Sequence, residues 1–538
     1  MKVSTPKLQR LLNEPQYLEL CKACDQILWA QDATHDRVAI SWLHIIREHP
    51  AFLPKYTTAF EPRQGLQLLF ESATRSARNY IGYLFRIGQT LLAHETNLSE
   101  LTFQPKTCDV LFISHLLNRS HIGQPNDFYF GDVPSELARQ GHSVAIVFIN
   151  HTSAPILNFP EVWRNSSVNR IILSKSLTFL SEVSLRRRAV QESRRLITLR
   201  NTLQSLRLRW IAAYSALEAV AGSTITNMRI GSQISEVTEL LHPKVIVVTH
   251  EGHAFERVIF AAARDAMPKV RCVAYQHSAL FRLQHSIRRS LSAPYNPDYI
   301  LASGIISEAQ LKNAPGIANI PISVLGSTRT LKDPRTLNHV SKAEAVKTPR
   351  SMKDCLVVPE YEWSECDKLF EFSLECALTL PHINFIWRLH PIISFKTLLK
   401  RNRRLHIRPP NVELSDKTLE ADIGRCRWAL YRGTTAVVQA VMGGLTPIYL
   451  QIRDEMTIDP LYEIEKGKFV VQTPAEFVAV VGKLSRRSNT THHQEHADLV
   501  DYCSKFYVPM DFRVLEKIIR DAPTREPANP ATDQLDKR

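Results

Sequence analysis

The sequence lacks any apolar run as long as the roughly eighteen residues that a membrane-spanning helix requires. Its first residues lack the apolar core of a signal peptide. The nine cysteines are an odd number and follow no framework spacing, which favours reduced thiols over disulfides. Cys21 and Cys24 are the one close pair, and no second Cys or His pair completes a zinc site. We therefore expect a soluble cytoplasmic protein without a bound metal.

The sequence also lacks an RNA-binding fingerprint and any interleaving of basic with aromatic residues. A formal net charge of +14 nevertheless implies attraction to something anionic, namely nucleic acid, an acidic membrane face or a phosphate-bearing substrate. The basic residues cluster in one helix and one loop, so we expect no nucleic-acid partner. A basic nucleic-acid-binding protein is the alternative from a different functional class.

Composition and length indicate an ordinary globular protein of two or three domains, since the 538 residues are 44% hydrophobic and 22% charged. Apolar positions three and four apart predict a helical N-terminal region over residues 1–105. Two Rossmann-like domains are predicted at 106–328 and 353–475, joined by a polar linker at 329–352. Helices are predicted for 476–521 and a disordered tail for 522–538.

The two Rossmann-like domains are predicted from buried strands that alternate with helical patterns. An apolar run at 108–114, a polar loop, a helix ended by Gly141 and a second apolar run at 144–149 follow in that order. This order is typical of a βαβ unit in a parallel sheet. A second set of such units begins at residues 355–358. The predicted class is therefore α/β, with two parallel sheets behind a helical N-terminal region.

The second set contains two candidate anion-binding positions. Residues 385–389 predict a buried strand that ends on His390 and is stopped by Pro391. Gly433, Thr434 and Thr435 open a predicted helix after the strand at 428–431, where free backbone N–H groups attract anions. We expect both positions on neighbouring strands, around one donor phosphate. The alternative is that His390 only ends its strand and the threonines only cap the helix.

The first set contains the candidate base. Glu251 and His253 lie in the predicted turn between the strand at 245–248 and the following helix, where a general base would face the crevice. The next strand delivers Gln276 and His277 to the same edge. For Glu251, a solvated turn carboxylate is the structural alternative. His115 and its neighbours follow the first strand of the domain and are candidates for substrate contacts.

The most basic segment, residues 186–210, has leucines at spacings of three and four opposite a row of arginines. This pattern predicts one amphipathic helix. Such a helix packs on the domain by its leucines, and a basic amphipathic helix can also rest on anionic lipid. Both interpretations are open at this point.

The order of these motifs resembles GT-B, the two-domain glycosyltransferase fold. His390-Pro391 and Gly433-Thr434-Thr435 are similar to the HP and Ser/Thr motifs of bacterial sialyl-, polysialyl- and Kdo-transferases and of CDP-glycerol polymer transferases. In those families the histidine and the hydroxyl turn hold the phosphate and nucleotide of the donor. Residues 250–257 and 275–278 are similar to a group of surface-carbohydrate glycosyltransferases. The resemblance covers roughly residues 106–475.

The resemblance implies a transferase that moves a sugar from a nucleotide sugar to a surface-glycan or lipid-linked acceptor, as in lipopolysaccharide or capsule synthesis. The nucleotide sugar is a substrate, and neither a cofactor nor a metal is expected. Such a protein is cytoplasmic, with peripheral contact to the inner membrane. Three groups of residues are implied: catalytic Glu251, His253 and His277; donor-binding Arg388, His390, Pro391, Arg432, Gly433, Thr434 and Thr435; and acceptor-binding His115, Asn118 and Gln276.

One departure from the family pattern concerns the catalytic turn. Sialyltransferases of this type carry two adjacent carboxylates before a glycine, whereas His250-Glu251-Gly252 contains one. This difference puts a sialic acid donor in doubt. It does not change the need for a base at the acceptor hydroxyl and for positive groups at the departing phosphate. A polyol-phosphate transferase or a sugar-nucleotide epimerase is the alternative on the same fold, because fold does not determine chemistry.

Overall fold

A computed structural model describes residues 12–60, 74, 81–82, 107–152, 161–164, 166–330, 354–390, 393–486 and 489–523. Pro391 lies outside the described residues, as do residues 331–353 of the linker region, most of the tail and most of residues 61–106. The predictions made for those residues stay predictions.

The first domain is built on seven parallel strands, in the spatial order β3-β2-β1-β4-β5-β6-β7. Their apolar residues are buried on both faces, as expected for a parallel sheet covered by helices. Val110 of β1 pairs with Val144 of β2 on one side and Val245 of β4 on the other. The strands are β1 Val110–Leu116, β2 Val144–Asn150, β3 Asn169–Ile172, β4 Val245–Thr249, β5 Arg271–Gln276, β6 Tyr299–Ala302 and β7 Ile322–Val324.

The second domain has six parallel strands in the order β10-β9-β8-β11-β12-β13. The strands are β8 Asp354–Val358, β9 Asn384–Trp387, β10 Val412–Leu414, β11 Trp428–Tyr431, β12 Thr446–Leu450 and β13 Phe469–Val471. Two parallel sheets with helices between the strands confirm the predicted class, two Rossmann-like domains of the GT-B kind.

Two details of the predicted donor site were wrong. The strand before His390 ends at Trp387, so His390 lies three residues beyond it rather than directly at its end. Strand β8 also lies between β9 and β11, so the two predicted anion positions do not follow neighbouring strands. The reason is the doubly wound order, in which the first strand of each set lies at the centre of the sheet and its successors are added on both sides.

The helices of the first domain and of the N-terminal region are Glu14–Leu28, His35–Val38, Val133–Arg139, Glu161–Arg164, Phe179–Thr202, Leu206–Ala219, Gly222–Leu241, Ala254–Ala266 and Ile305–Lys312. Those of the second domain and the C-terminal part are Trp363–Thr379, Phe395–Arg401, Leu419–Arg425, Ala436–Met442, Pro474–Arg486, Asn489–Ser504 and Phe512–Arg520. Short 3-10 helices cover Ser41–Leu43, Pro54–Ala59, Arg119–His121, Ser286–Arg288, Ala293–Tyr295 and Arg403–His406.

The basic segment is not one helix, which corrects the prediction. The helix Phe179–Thr202 ends before Leu203, and a second helix begins after Ser205. Ser205 has extended backbone and its hydroxyl accepts a hydrogen bond from the N–H of Leu208 at 3.5 Å. Because serine is a common N-cap, it starts a new helix at the position where the leucine pattern suggested continuity.

In the described part of the N-terminal region, α-helix covers Glu14–Leu28, His35–Val38 and residues 74 and 81–82. Asn13 caps the helix Glu14–Leu28, whose buried face includes Tyr17, Leu20 and Cys24. These side chains belong to one apolar core with Ile211 of the helix Leu206–Ala219. Residues 40–46, which had been predicted as helical, contain only the 3-10 turn Ser41–Leu43. The remainder of this stretch runs as an irregular segment towards the cleft between the domains.

The end of the chain returns from the second domain to the first. Leu515, Ile518 and Ile519 of the helix Phe512–Arg520 lie in the same apolar core as strands β1 and β4. The N–H of Asp511 donates to the carbonyl oxygen of Leu325 at 2.8 Å. The chain also passes from the first domain to the second after β7. The two domains are therefore connected twice.

Within the described ranges, no helix is both long and apolar enough to cross a membrane. All nine cysteines fall inside these ranges, and each is a buried free thiol. Burial raises the pKa of Cys272 and of Cys366 to about 12, which keeps these thiols protonated and unreactive at neutral pH.

Candidate active site between the two domains

A cavity of about 450 Å³ lies between the domains, at the carboxyl ends of strands from both sheets. Polar side chains that follow six different strands line it, and residues 41–56 of the N-terminal region form a further wall. The lining includes Glu251, His253, His277 and Ser278 from the first domain, and Glu360, Tyr361, His390, Gly433, Thr434 and Thr435 from the second.

Glu251 is the centre of a polar cluster on the first-domain wall. Ser278 donates its hydroxyl hydrogen to Glu251 Oε1. His253 Nε2 lies 3.5 Å from Glu251 Oε2, and His277 Nε2 lies 3.8 Å from Oε1. These residues meet because β4 and β5 are neighbours in register, with Thr249 opposite Tyr275. The structure thus brings the three predicted catalytic residues together in one cavity.

Glu256 holds the backbone of this turn. Its buried carboxylate accepts hydrogen bonds from the N–H groups of Glu251, Gly252 and His253, at 2.8 to 3.1 Å. Gly252 has a φ of +92°, and a Cβ there would lie 2.4 Å from Ser286. Only glycine fits this conformation and this space. The turn is therefore a rigid support for the Glu251 side chain.

The electrostatics of the cluster keep Glu251 ionised. Burial by itself would raise the pKa of Glu251, but the hydrogen bond and charge of His253, the charge of His277 and the Ser278 hydroxyl together lower it well below its usual value. For His253, burial would lower the pKa, but the hydrogen bond to Glu251 together with the charges of Glu256 and Glu251 outweighs burial and raises it. For His277, burial dominates and the pKa is lowered. Such divergent shifts are typical of functional sites.

Gly433, Thr434 and Thr435 form the opposite wall. Gly433 has a φ of +67°, and a Cβ there would lie 2.9 Å from Glu360 Oε2, so a larger residue would disturb both backbone and neighbour. Thr434 is buried, and its Oγ1 accepts a hydrogen bond from the N–H of Ala436 at 3.3 Å. Thr435 makes no such cap bond. Thr434 therefore stabilises the turn, and both Thr434 and Thr435 line the cavity.

His390 faces the same cavity from the end of the loop after β9. Its ring lies 6.1 Å from that of Tyr361, nearly edge to face. Burial lowers the pKa of His390, and the nearby Glu360 carboxylate offsets this only in part. A neutral imidazole carries one N–H donor and one acceptor nitrogen. The structure therefore brings His390 and the Gly433–Thr435 turn to one site, with the loop after β8 between them.

The loop after β8 supplies two residues that sequence reasoning had not assigned to the site. Glu360 is buried, and its carboxylate is contacted by His49 and by Arg47 Nη2, the latter at 3.2 Å. Tyr361 lines the cavity beside it. The rule that selected Glu251, a polar residue after a buried strand, applies equally to Glu360 and would have identified it.

Arg329 follows β7, where the chain leaves the first domain for the second. It lines the cavity, and its guanidinium carbon lies 6.0 Å from the centre of the Tyr507 ring. After burial, which is the main cause, the charge of Arg329 also lowers the pKa of His277 and of His390, one histidine on each wall. No pattern pointed to Arg329, because it falls where the linker had been predicted.

The two predicted donor-binding arginines are not brought into the cavity. Arg388 Nη1 donates to the carbonyl oxygen of Lys417 and pairs with Asp422 at 3.1 Å. Arg432 is fully buried, and its guanidinium pairs with Glu365 and Glu455. A buried cation held by two carboxylates has a structural role, and moving it to a phosphate would leave both carboxylates unpaired. These contacts count against the predicted phosphate role of both residues.

The predicted acceptor residues also lie outside this cavity. His115 bonds with His151 and with Thr249 Oγ1, each at 2.9 Å, and lines a separate cavity of about 250 Å³ in the first domain. Asn118 is exposed, and its side chain bonds with Ser120 and, at 3.3 Å, with His121. Gln276 is buried, with Oε1 accepting from the N–H of Ser303 at 3.3 Å. An acceptor role for these three residues stays a prediction.

No protein-family model matches the sequence, and no curated protein matches it. Several solved structures resemble the chain at low identity. The glycotransferase of kitacinnamycin is 12% identical, with a TM-score of 0.45 over 78% of this chain and 100% of that chain. Anabaena HepE in complex with UDP and glucose is 12% identical, with a TM-score of 0.41 over 77% of this chain and 98% of that chain. UDP-GlcNAc 2-epimerase from Neisseria meningitidis bound to UDP-GlcNAc is 13% identical, with a TM-score of 0.40 over 77% of this chain and 100% of that chain. We take the fold from the two sheets and infer no function from these likenesses.

Proposed function

We propose that the chain is a glycosyltransferase that uses a nucleotide sugar as its donor. The observation that carries the proposal is the interdomain cavity, where the Glu251 cluster faces the Gly433–Thr435 turn and His390. One wall offers an ionised carboxylate for proton transfer. The other offers backbone N–H groups, hydroxyls and an imidazole, which suit a phosphate. A substrate that combines a sugar with a phosphate leaving group matches both walls.

In the proposed reaction, the oxygen of the acceptor hydroxyl forms a bond to the anomeric carbon while the bond from that carbon to the donor phosphate oxygen breaks. The hydroxyl proton passes to Glu251, and the phosphate leaves with the bonding electron pair. Arg329 and the groups around Gly433 stabilise the charge that develops on the departing phosphate. This scheme assigns no step to a metal, and within the described residues no group of three or more His, Cys, Asp and Glu side chains is arranged to hold one. Metal independence itself stays a prediction.

A screen of CMP-, CDP-, UDP- and GDP-linked sugars for thermal stabilisation tests the donor class, because a ligand of the folded state raises the melting temperature by mass action. The stabilising sugar nucleotide is then incubated with and without candidate acceptors. Release of nucleotide with transfer of the sugar supports the proposal. An epimerised sugar nucleotide formed without any acceptor would support the epimerase alternative instead. No stabilisation by any of these donors would contradict both.

For the acceptor, we propose a lipid-linked or surface glycan reached at an anionic membrane. This proposal is supported by the helix Phe179–Thr202, on which Leu180, Arg187 and Arg194 follow at spacings of seven and so share a face. Leu180 is 77% exposed, and both arginines are exposed. Arg188, a further arginine of this helix, pairs with Asp36.

Vesicle co-sedimentation tests this contact. We expect binding to vesicles that contain anionic lipid, weakening as salt is raised, and no binding to neutral vesicles. Replacing Arg187, Arg194 and Arg200 by Glu should abolish it. The matched control reverses the charge of three exposed arginines elsewhere, Arg139, Arg404 and Arg513. Binding that is insensitive to salt, or equal loss in the control, would contradict the proposal.

A further inference from the structure

The N-terminal region reaches the active-site cavity from outside both Rossmann-like domains. Residues 41–56, here called the cleft segment, lie against the first domain through Glu48, which accepts the N–H of Leu283 at 2.7 Å, and Ser286 Oγ, which donates to the carbonyl oxygen of Ile45 at 3.1 Å. The same segment contacts the second domain through His49 and Arg47, both on Glu360. It therefore touches both walls of the cavity.

Arg47 is the residue of the cleft segment that lines the cavity and contacts a residue of each domain. Its guanidinium carbon lies 4.6 Å above the ring of Phe281, a first-domain residue, while Nη2 bonds with Glu360 of the second domain. Its side chain is 14% exposed and lines the cavity together with Lys55. An arginine carries five N–H donors, and within the described part of the chain the contact with Glu360 is the one hydrogen bond that its guanidinium makes.

We propose that Arg47 binds the donor phosphate, so that the N-terminal region supplies part of the active site. This inference rests on the proposed function. A guanidinium that packs on the Phe281 ring and bonds with Glu360 through Nη2 presents its remaining N–H donors in the planar fork that suits phosphate oxygens. It also replaces the predicted contribution of Arg388 and Arg432, whose guanidinium groups are held by carboxylates away from the cavity.

The contact with Glu360 defines how the ligand would be recognised. Glu360 lies against Gly433, where an added Cβ would meet its Oε2 at 2.9 Å. Arg47 therefore connects to the Gly433–Thr435 turn through Glu360, so a phosphate that enters the cavity beside this turn would also lie near the guanidinium. Without Arg47, the buried Glu360 carboxylate would repel an anion at this position.

The test measures binding of UDP, GDP, CDP, CMP and inorganic pyrophosphate by calorimetry to the full chain and to three variants. Arg47→Gln removes the charge, Arg47→Lys keeps the charge without the fork, and Arg282→Gln is the matched control. Arg282 joins the same N-terminal region to the first domain by pairing with Glu14, but it lies outside the cavity lining. We expect Arg47→Gln to weaken binding at least roughly tenfold, Arg47→Lys to weaken it less, and Arg282→Gln to leave it unchanged.

The outcomes separate this inference from the proposed function. If a nucleotide binds the parent chain and Arg47→Gln binds it equally well, the role of Arg47 is wrong and the donor proposal stands. Equal weakening by Arg282→Gln would also contradict it, since docking of the region would then be the cause. If pyrophosphate binds and no nucleotide does, loss in Arg47→Gln upholds the anion site and contradicts the proposed function. If neither a nucleotide nor pyrophosphate binds the parent chain, both the role of Arg47 and the proposed function are wrong.

If Arg47→Gln does not fold, the Arg47→Lys variant decides. Unchanged binding in Arg47→Lys would contradict the inference that the guanidinium of Arg47 binds the phosphate.

Discussion

The two turns that face each other across the cavity have the same local architecture and opposite contents. Each connects a buried strand to a helix and contains a glycine with positive φ, Gly252 in one and Gly433 in the other. The first-domain turn carries titratable side chains around Glu251 and is held by the buried Glu256 carboxylate. The second-domain turn carries small residues and lies against the side chain of Glu360.

This difference separates two requirements of glycosyl transfer. A proton acceptor needs a tuned pKa, which neighbouring charged groups provide. A phosphate site needs donors that carry no negative charge of their own, and backbone N–H groups with hydroxyls provide them. The proposed proton acceptor and phosphate site lie on different domains, so each can be altered independently. Variants of either turn therefore test the comparison.

The largest expected effect comes from the first turn. Glu251→Gln keeps the shape and removes the basicity, so turnover should fall by roughly 10²- to 10⁴-fold while donor binding stays nearly unchanged. Steady-state rates and calorimetric donor binding measure the two quantities on the same preparation. Glu239→Gln, an exposed glutamate far from the turn, is the control. Turnover within a few-fold of the parent would transfer the role to His253 or His277.

The second turn should show a smaller effect, in binding. His390→Ala and Thr434→Ala should each weaken donor binding by roughly 1–3 kcal/mol, the scale for losing a hydrogen bond to a charged group. Because both would contact one phosphate, the double variant should depart from the sum of the single losses. Thr379→Ala, an exposed position in the same domain, controls for the loss of a hydroxyl. Strict additivity, or unchanged affinity in both single variants, would mean that the residues only support the local backbone.

The smallest expected effect is in the pH dependence of kcat/KM, and it distinguishes Glu251 from His253 as the base. The pKa of Glu251 is lowered, so a Glu251 base stays ionised and the rate should be flat through the neutral range, falling only in acid. The pKa of His253 is raised, so a His253 base would be protonated at low pH and the rate would climb as pH passes that raised value. We expect the flat profile.

The His253 ring offers an independent check by NMR titration. The hydrogen bond to Glu251 is the main cause that raises its pKa against burial, so Glu251→Gln should lower the His253 pKa. An unchanged titration would show that the two side chains do not interact in solution, and the arrangement of the first turn would need revision.

Much of this site could be predicted from the sequence because its signals are local. Strand β11 has the bounds that its apolar run predicted, and the turn residues Glu251 and Gly433 lie two residues beyond strand ends. Short strands were missed where the pattern is weak: β3 begins with two polar residues, and β13 has only three residues in all. The spatial order of strands depends on chain connections rather than on any local pattern.

The contributions of Arg47 and Arg329 could be recognised only in three dimensions. Arg47 and Glu360 contact each other across 313 positions of sequence, and no local period relates them. The contacts that count against the roles expected of Arg388 and Arg432 could not be predicted for the same reason. Their charge was visible in the sequence, whereas the carboxylates that hold them, such as Asp422 and Glu455, come from elements distant along the chain.

The return of the last helix to the first domain limits how the cavity can open. With a single connection, one Rossmann-like unit could swing about the other in any direction. Because the chain passes between the domains both after β7 and before Asp511, we expect rotation about the line that joins these two points to be the easiest relative motion. Such a rotation would widen or narrow the cavity and would change the distance between the two turns.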